Sequence, residues 1–116
     1  MTEFNEAEYF RRKKDLEEEE DTLRSDISRL RRNIDSQKEM ASQNRTLQKE
    51  LYEASLGSRI QNKIYEIGEV IKQNDNKTLT KLDQKLNDKL KDLKKNNELQ
   101  EENRKNYLEV KKEGNE

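Results

Sequence analysis

The sequence predicts an all-α fold, a long antiparallel two-helix hairpin of the coiled-coil type with its turn near Gly57-Ser58. Only 28% of the 116 residues are hydrophobic and 44% are charged. That apolar content is too low for a compact core, although long helices need only one apolar stripe each. Disorder is the other fold state that this composition allows, and the helical periodicity described below favours long helices. Proline is absent, which suits uninterrupted helices. We therefore expect a single helical hairpin over 1–116, with helix 1 at about 2–55 and helix 2 at about 59–113.

The first helix carries its clearest apolar stripe between Leu16 and Ile34. Four successive members, from Leu23 to Ile34, are spaced four, three and four residues apart, which is the rhythm of a coiled-coil seam. Polar or small residues then occupy the expected seam positions: Gln37, Ala41 and Asn44. The next apolar residues, Met40 and Leu47, come one residue early, which predicts a discontinuity in the supercoil.

Three signals place the turn at Gly57-Ser58. Glycine adopts the left-handed conformation that often ends a helix. The spacing of Ser58 and Gln61 is that of a capping box, which opens a new helix. Apolar residues on the two sides also pair about this point; Leu23, for example, opposes Leu93. One continuous helix that tolerates Gly57, and a rival turn at 74–77, are the alternatives.

The second helix begins with isoleucines spaced four, three and four residues apart. No apolar residue occurs within 73–78, where Asn and Asp compete with helical hydrogen bonds, so a break in helix 2 near 73–78 is left open. The predicted hairpin seam consists of Leu16, Leu23, Ile27, Leu30, Ile34, Leu47, Leu51, Ile60, Ile64, Ile67, Ile71, Leu82, Leu86 and Leu93. Asn96 and Asn103 fall at seam-like positions further along.

Composition argues against several classes of function. Histidine and cysteine are absent, so the usual nucleophile–base pairs and thiolate metal sites cannot be assembled. We expect no enzymatic activity, no cofactor and no metal. The segment Asn74-Asp75-Asn76 lacks the glycine and terminal glutamate of a calcium loop. The net charge of −1 argues against nucleic-acid binding. The basic run at 11–14 precedes an acidic run at 17–21, and the two predict a solvated, self-neutralising face.

The sequence also bears on location. Apolar runs never exceed two residues, which argues against membrane insertion. The first residues, Met1-Thr2-Glu3-Phe4-Asn5-Glu6, lack the basic and apolar regions of a Sec signal peptide. We expect the chain to be made and folded in the cytoplasm, and any export to use a route that accepts folded helices.

Two stripes with polar gaps are marginal for a stable monomer, so a partner's helix is expected to complete the core. Several apolar residues flank the seams and are the predicted partner-binding residues: Phe10, Leu56, Tyr65, Val70 and Leu79. Asparagines and glutamines within the seam would weaken the pairing but specify its register.

A hairpin of this length with Leu56-Gly57-Ser58 at its turn resembles the WXG-like small proteins of bacterial type VII secretion. Its length and high charge are similar to those of the small helical targeting factors encoded beside LXG toxins. The resemblance implies binding to the helical LXG domain of a toxin, together with a second small helical protein, and export with that partner by type VII secretion. The tryptophan of the turn motif is absent. The Tyr-x-x-x-Asp/Glu signal fails at Tyr107, which Lys111 follows, and fits only at Tyr65-Glu69 near the turn.

Two other functions stay open. One is a structural coiled coil of the phage, cytoskeletal or cell-division type, which would pair with itself as a homodimer. The other is a regulator that sequesters a helical protein. A targeting factor needs a different chain, whereas a scaffold pairs with itself.

Overall fold

The structure, a computed structural model, describes residues 5–114. They form two helices, α1 (Glu6–Ser55) and α2 (Gln61–Gly114). Amide groups of α2 donate to backbone carbonyls of α1 in the order that antiparallel helices require: Asn96 to Leu16, and Asn103 to Tyr9. The predicted helical hairpin is therefore confirmed. The predicted beginning of helix 1 at residues 2–4 lies outside the described residues.

Asn5 caps the beginning of α1. Its Oδ1 accepts a hydrogen bond from the backbone N–H of Ala7 at 2.8 Å, and its carbonyl accepts one from the N–H of Tyr9 at 3.0 Å. This geometry satisfies amide groups that have no partner within the helix. Glu6 and Glu8 in the first turn place negative charge at the positive end of the helix dipole.

The turn falls at Gly57-Ser58, as the sequence predicts. Gly57 has a φ of +80°, the left-handed conformation that glycine adopts without steric cost. The N–H of Ser58 donates to the Ser55 carbonyl at 2.9 Å, and Ser58 Oγ accepts from the N–H of Ile60 at 3.4 Å. Gln61 Oε1 accepts from the N–H of Gly57 at 2.9 Å. The capping pair of serine and glutamine is thus present, with Gln61 bonding one residue earlier than in the standard box.

α2 is continuous through 73–78, so the break that the sequence left open does not occur and the rival turn at 74–77 is excluded. Two threonine hydroxyls donate to carbonyls four residues back, Thr78 to Asn74 at 2.9 Å and Thr80 to Asn76 at 2.8 Å. The polar stretch also finds partners on α1, because Asp75 accepts hydrogen bonds from Gln37 and Asn44. These bonds offset the weak helix preference of the segment.

Contacts divide the hairpin into two units, which we name by their position along the chain. The open-end unit contains the described residues up to Ser28 and from Asn87 onward, and the turn unit is Arg29–Leu86. In each unit a segment of α1 packs against a segment of α2. Four apolar side chains of the open-end unit are buried: Tyr9, Leu16, Leu23 and Ile27. In the turn unit Leu30 and Ile34 are the corresponding buried residues.

Candidate partner-binding surfaces

The inward-facing residues of α1 keep one spacing of three and four from the open-end unit into the turn unit. After Ile34 the less exposed residues are Gln37, Ala41, Asn44 and Gln48. The predicted discontinuity at Met40 and Leu47 is therefore absent from α1. Intervals of four and four occur further along each helix, at Asn44, Gln48 and Tyr52 in α1 and at Ile71, Asp75 and Leu79 in α2.

In this register four residues that were predicted to lie in the seam are exposed instead. Leu47 is 56% exposed and Ile67 is 51% exposed, and Leu51 and Ile60 are exposed to a similar degree. Leu47 and Ile67 lie one position before the inward-facing Gln48 and Gly68. A helix advances by 100° per residue, so a one-residue offset turns a side chain out of the seam. The other predicted seam residues are buried or half-buried: Leu16, Leu23, Ile27, Leu30, Ile34, Ile64, Ile71, Leu82, Leu86 and Leu93.

Polar side chains hold the seam of the turn unit together. Asp75 accepts one hydrogen bond from Gln37 Nε2 and one from Asn44 Nδ2, each at 3.3 Å. Gln48 Nε2 donates to the Ile64 carbonyl at 2.6 Å. The side chain of Gln48 occupies the space that a Cβ would take at Gly68, whose position would lie 2.5–2.7 Å from three Gln48 atoms. A larger residue at position 68 would therefore displace the Gln48 side chain.

Two faces flank this polar seam. Each helix turns one stripe of residues inward, and the residues beside the stripes form two flanks, one on each side of the antiparallel pair. We call one flank the tyrosine face, because it contains Tyr52 and Tyr65, whose ring centroids lie 6.2 Å apart. The apolar face is the opposite side and consists of Met40, Leu47, Leu51, Ile60, Ile67 and Val70.

The tyrosine face contains two concave sites. A groove of about 310 Å³ lies against Tyr52, Tyr65 and Gly68. A smaller site of about 100 Å³ is lined by Ala41, Leu79 and other residues. Arg45 and Lys72 line both sites, and Lys49 lines the larger one. The Tyr52 hydroxyl accepts a hydrogen bond from Gln61 Nε2 at 3.3 Å, which ties the ring to the turn. The sites of this face thus combine aromatic rings with three basic residues and two acidic ones, Glu69 at the larger groove and Asp75 at both sites.

The open-end unit carries an aromatic cluster of Tyr9, Phe10 and Tyr107. The Tyr9 and Tyr107 centroids are 4.1 Å apart, and Tyr9 stacks on Phe10 at 4.9 Å. The Tyr107 hydroxyl donates to Glu6 Oε1 at 3.0 Å. This hydrogen bond raises the pKa of the Tyr107 phenol because the neutral form is the donor. Lys111 lies 5.9 Å from the centroid of the Tyr107 ring.

Buried amides distinguish the inward side of α2 in the open-end unit. Asn96 is only 1% exposed, and its Nδ2 donates to the Leu16 carbonyl at 3.0 Å while its Oδ1 accepts from Gln100 at 2.6 Å. Gln100 also donates to Glu20 at 2.9 Å. That bond, followed by the bond from Arg24, lowers the pKa of the Glu20 carboxyl.

The predicted partner-binding residues lie on different parts of the hairpin. Tyr65 and Leu79 line the tyrosine face, with Leu79 half-buried at the seam. Val70 belongs to the apolar face, and Phe10 to the aromatic cluster of the open-end unit. Leu56 is exposed at the turn. The sequence missed Gln48, Gly68 and Asp75, and following the spacing of three and four through polar residues would have found them.

Comparisons with protein-family models, curated proteins and solved structures found no match to this chain. Within residues 5–114, no helix is long and apolar enough to cross a membrane. The same residues contain no cluster of three or more acidic side chains placed to hold a metal ion.

Proposed function

We propose that this chain is a non-enzymatic binding protein that takes up a helix of another protein on its tyrosine face. The observation that carries the proposal is the groove beside Tyr52 and Tyr65, with a smaller site next to it at Ala41 and Leu79. Tyrosine is enriched among the residues that dominate binding energy, since it offers a large apolar surface and a polar hydroxyl. Tyr65 is 57% exposed, so most of that surface is accessible to a partner.

The rim predicts the chemistry of the partner's helix. Arg45, Lys49 and Lys72 surround the larger groove. A complementary helix would carry apolar side chains at intervals of three and four residues, and acidic residues beside them. One apolar side chain would enter the groove beside Tyr65, and another would contact Leu79 about four turns further along α2.

The proposed partner is the helical LXG domain of a toxin, and the proposed role is targeting that toxin to type VII secretion with a second small helical protein. The helical hairpin and its resemblance to WXG-like proteins support this assignment. In this proposal the chain folds in the cytoplasm and binds the toxin before export. The Tyr65-Glu69 pair borders the groove, so partner binding would cover it.

Co-purification tests the proposal. The tagged full-length chain, expressed at its native level in its own organism, should recover a helical protein that is a secreted toxin. Tyr65→Ala and Lys72→Glu should each reduce recovery at least about tenfold, because they remove an aromatic contact and reverse a rim charge. Lys63→Glu, on the other side of the hairpin, is the matched control and should leave recovery unchanged. The proposal would be contradicted if the chain were recovered alone, or if the recovery of its partners were unchanged by Tyr65→Ala.

A further inference from the structure

The apolar face of the turn unit exposes more aliphatic surface than isolated surface residues do. Its six side chains are each between 46% and 56% exposed. Together they present roughly 500 Å² of apolar surface, which is the size of the largest apolar patch on a typical monomer, and such patches are often functional. Covering the face in two copies would remove roughly 1,000 Å² from water before polar neighbours are counted, which reaches the size of a specific interface.

The two edges of this face carry opposite charges. Heptad positions place the exposed Glu50 beside this face at the α1 edge, with Glu39 and Glu53 further round the outer side of the helix. The α2 edge carries three exposed basic residues, Arg59, Lys63 and Lys77. One acidic residue, Glu66, lies among them. Glu50 and Lys63 lie at nearly the same level of the hairpin, since Gln48 bonds across to the Ile64 carbonyl. A surface with one acidic edge and one basic edge can match a copy of itself.

We propose that two copies of this chain pair through their apolar faces, with both turns at the same end. A two-fold axis parallel to the helices places α1 of one copy over α2 of the other. Glu50 of each copy then meets Lys63 of the partner subunit, and Glu53 comes near the partner's Arg59. The opposite arrangement, with turns at different ends, sets α1 against α1 and brings acidic edges together.

The same-end arrangement also suits the backbone. In the turn unit α1 is antiparallel to its own α2, and in the pair it is antiparallel to the neighbouring α2 of the other copy. Adjacent helix dipoles then oppose each other throughout a four-helix bundle. Met40, Leu47, Leu51, Ile60, Ile67 and Val70 form the added core. The tyrosine face lies on the other side of the hairpin, so this pairing is independent of the partner proposed above.

Sedimentation of the purified full-length chain over a concentration series is the first test. The chain should dimerise with a Kd of micromolar order or tighter. The double variant Leu47→Glu/Ile67→Glu should weaken dimerisation at least about 100-fold, because it places unpaired charges inside the interface. Both residues are exposed in the single hairpin, so circular dichroism should show the helical content retained. Tyr65→Glu, on the tyrosine face, is the matched control and should leave the dimer intact.

A chain that stays monomeric up to roughly millimolar concentration would overturn the proposal. So would a dimer that survives Leu47→Glu/Ile67→Glu, or one that Tyr65→Glu abolishes. These results are separate from the co-purification results, because Leu47→Glu/Ile67→Glu leaves the tyrosine groove intact and Tyr65→Ala leaves the apolar face intact.

A charge exchange tests the orientation. Glu50→Lys and Lys63→Glu should each weaken the dimer about two- to fivefold, as exposed ion pairs do. Mixing the two single variants should restore wild-type affinity, since both cross-subunit pairs then join opposite charges. The double variant Glu50→Lys/Lys63→Glu should also regain it. Failure of both restorations would overturn the same-end arrangement.

Discussion

The open-end unit and the turn unit are built on the same helical spacing, but they use their apolar residues differently. In the open-end unit Tyr9, Leu16, Leu23 and Ile27 of α1 are buried, while Phe10 is half exposed; Asn96 and Asn103 of α2 are buried. In the turn unit most inward positions beyond Ile34 are polar or small, while large aliphatic side chains such as Leu47 and Ile67 point outward. The turn unit therefore leaves more of its large apolar side chains exposed than the open-end unit does.

The hydrogen bonds follow the same division. Asn96 and Asn103 donate to backbone carbonyls of α1, whose positions are fixed by the helix. The amides of Gln37 and Asn44 donate to the carboxylate of Asp75, a side chain that can rotate. Gln48 is the exception in the turn unit, since it donates to the Ile64 backbone carbonyl. The buried asparagines of the open-end unit thus bond to the backbone, whereas the inward-facing amides of the turn unit bond to one side-chain carboxylate and one backbone carbonyl.

The largest expected effect compares one leucine from each unit. Leu23→Ala should lower the free energy of unfolding by about 2–4 kcal/mol, because it empties a buried position. Leu47→Ala should cost well under about 1 kcal/mol in the monomer, since the side chain is already more than half exposed. Both losses of unfolding free energy are measured by urea denaturation. Each substitution is introduced into the Ile67→Glu variant, which keeps the protein monomeric. Equal losses would show that the turn unit packs Leu47 inward.

A smaller difference in stability loss is expected between an inward-facing amide of the open-end unit, Asn96, and one of the turn unit, Gln37. Asn96→Ala removes a fully buried side chain that bonds to both the Leu16 carbonyl and Gln100, and should cost about 1–3 kcal/mol. Gln37→Ala loses one half-exposed bond of 3.3 Å and should cost about 0.5 kcal/mol. Thermal melts of the two variants give the comparison. An equal or larger loss for Gln37→Ala would mean that the polar seam of the turn unit is the stronger one.

The fold could be predicted from the sequence because its determinants are local. Gly57 needs a left-handed conformation, and the stripe from Leu23 to Ile34 has a spacing that only a helical seam explains. The buried Asn96 and Asn103 were also found, since they continue a regular spacing. These features require no knowledge of which side of the turn unit faces inward.

The site was harder to predict, because apolar residues in the turn unit occur on both sides of the seam. Leu47 and Ile67 oppose each other in the hairpin, so pairing them in the seam was consistent with the antiparallel register. The two residues belong instead to one exposed face beside the seam. The α1 spacing set by Leu30 and Ile34 continues unchanged as far as Gln48, and turning Met40 and Leu47 inward would have required an earlier irregularity in α1. Polar residues such as Gln48 and Asp75 carry no apolar signal that would place them inward.

Gly68 provides a test of that register at the level of about 1 kcal/mol. Gly68→Ala improves helix propensity by about 1 kcal/mol, but its Cβ would collide with Gln48 and displace the bond to the Ile64 carbonyl. We expect a net loss of up to about 1 kcal/mol. In the Gln48→Ala background the same change should stabilise the chain instead, because the collision is gone. Chemical denaturation of the four proteins in this cycle measures the coupling, and additive effects would contradict the packing of Gln48 on Gly68.

The smallest effects concern pH and arise in the open-end unit. The lowered pKa of Glu20 means that its hydrogen bonds contribute stability above its unfolded pKa of about 4.3, and that this contribution is lost as the pH falls through the folded pKa. The group lies near the surface, so the loss should be well under about 1 kcal/mol. Glu20→Gln should remove this acid dependence while keeping an acceptor for Gln100.

Tyr107 should give the opposite dependence at high pH. Its pKa is raised by the hydrogen bond to Glu6, so its contribution is complete below its unfolded pKa of about 10 and is lost as the pH rises through the folded pKa. Tyr107→Phe keeps the ring beside Tyr9 but removes the hydroxyl, and should flatten the alkaline limb of a melting-temperature profile. Tyr52→Phe, which carries the matching change in the turn unit, is the control. If Tyr52→Phe flattened the alkaline limb and Tyr107→Phe did not, the bond between Tyr107 and Glu6 would not be the cause, and the alkaline sensitivity would belong to the tyrosine face instead.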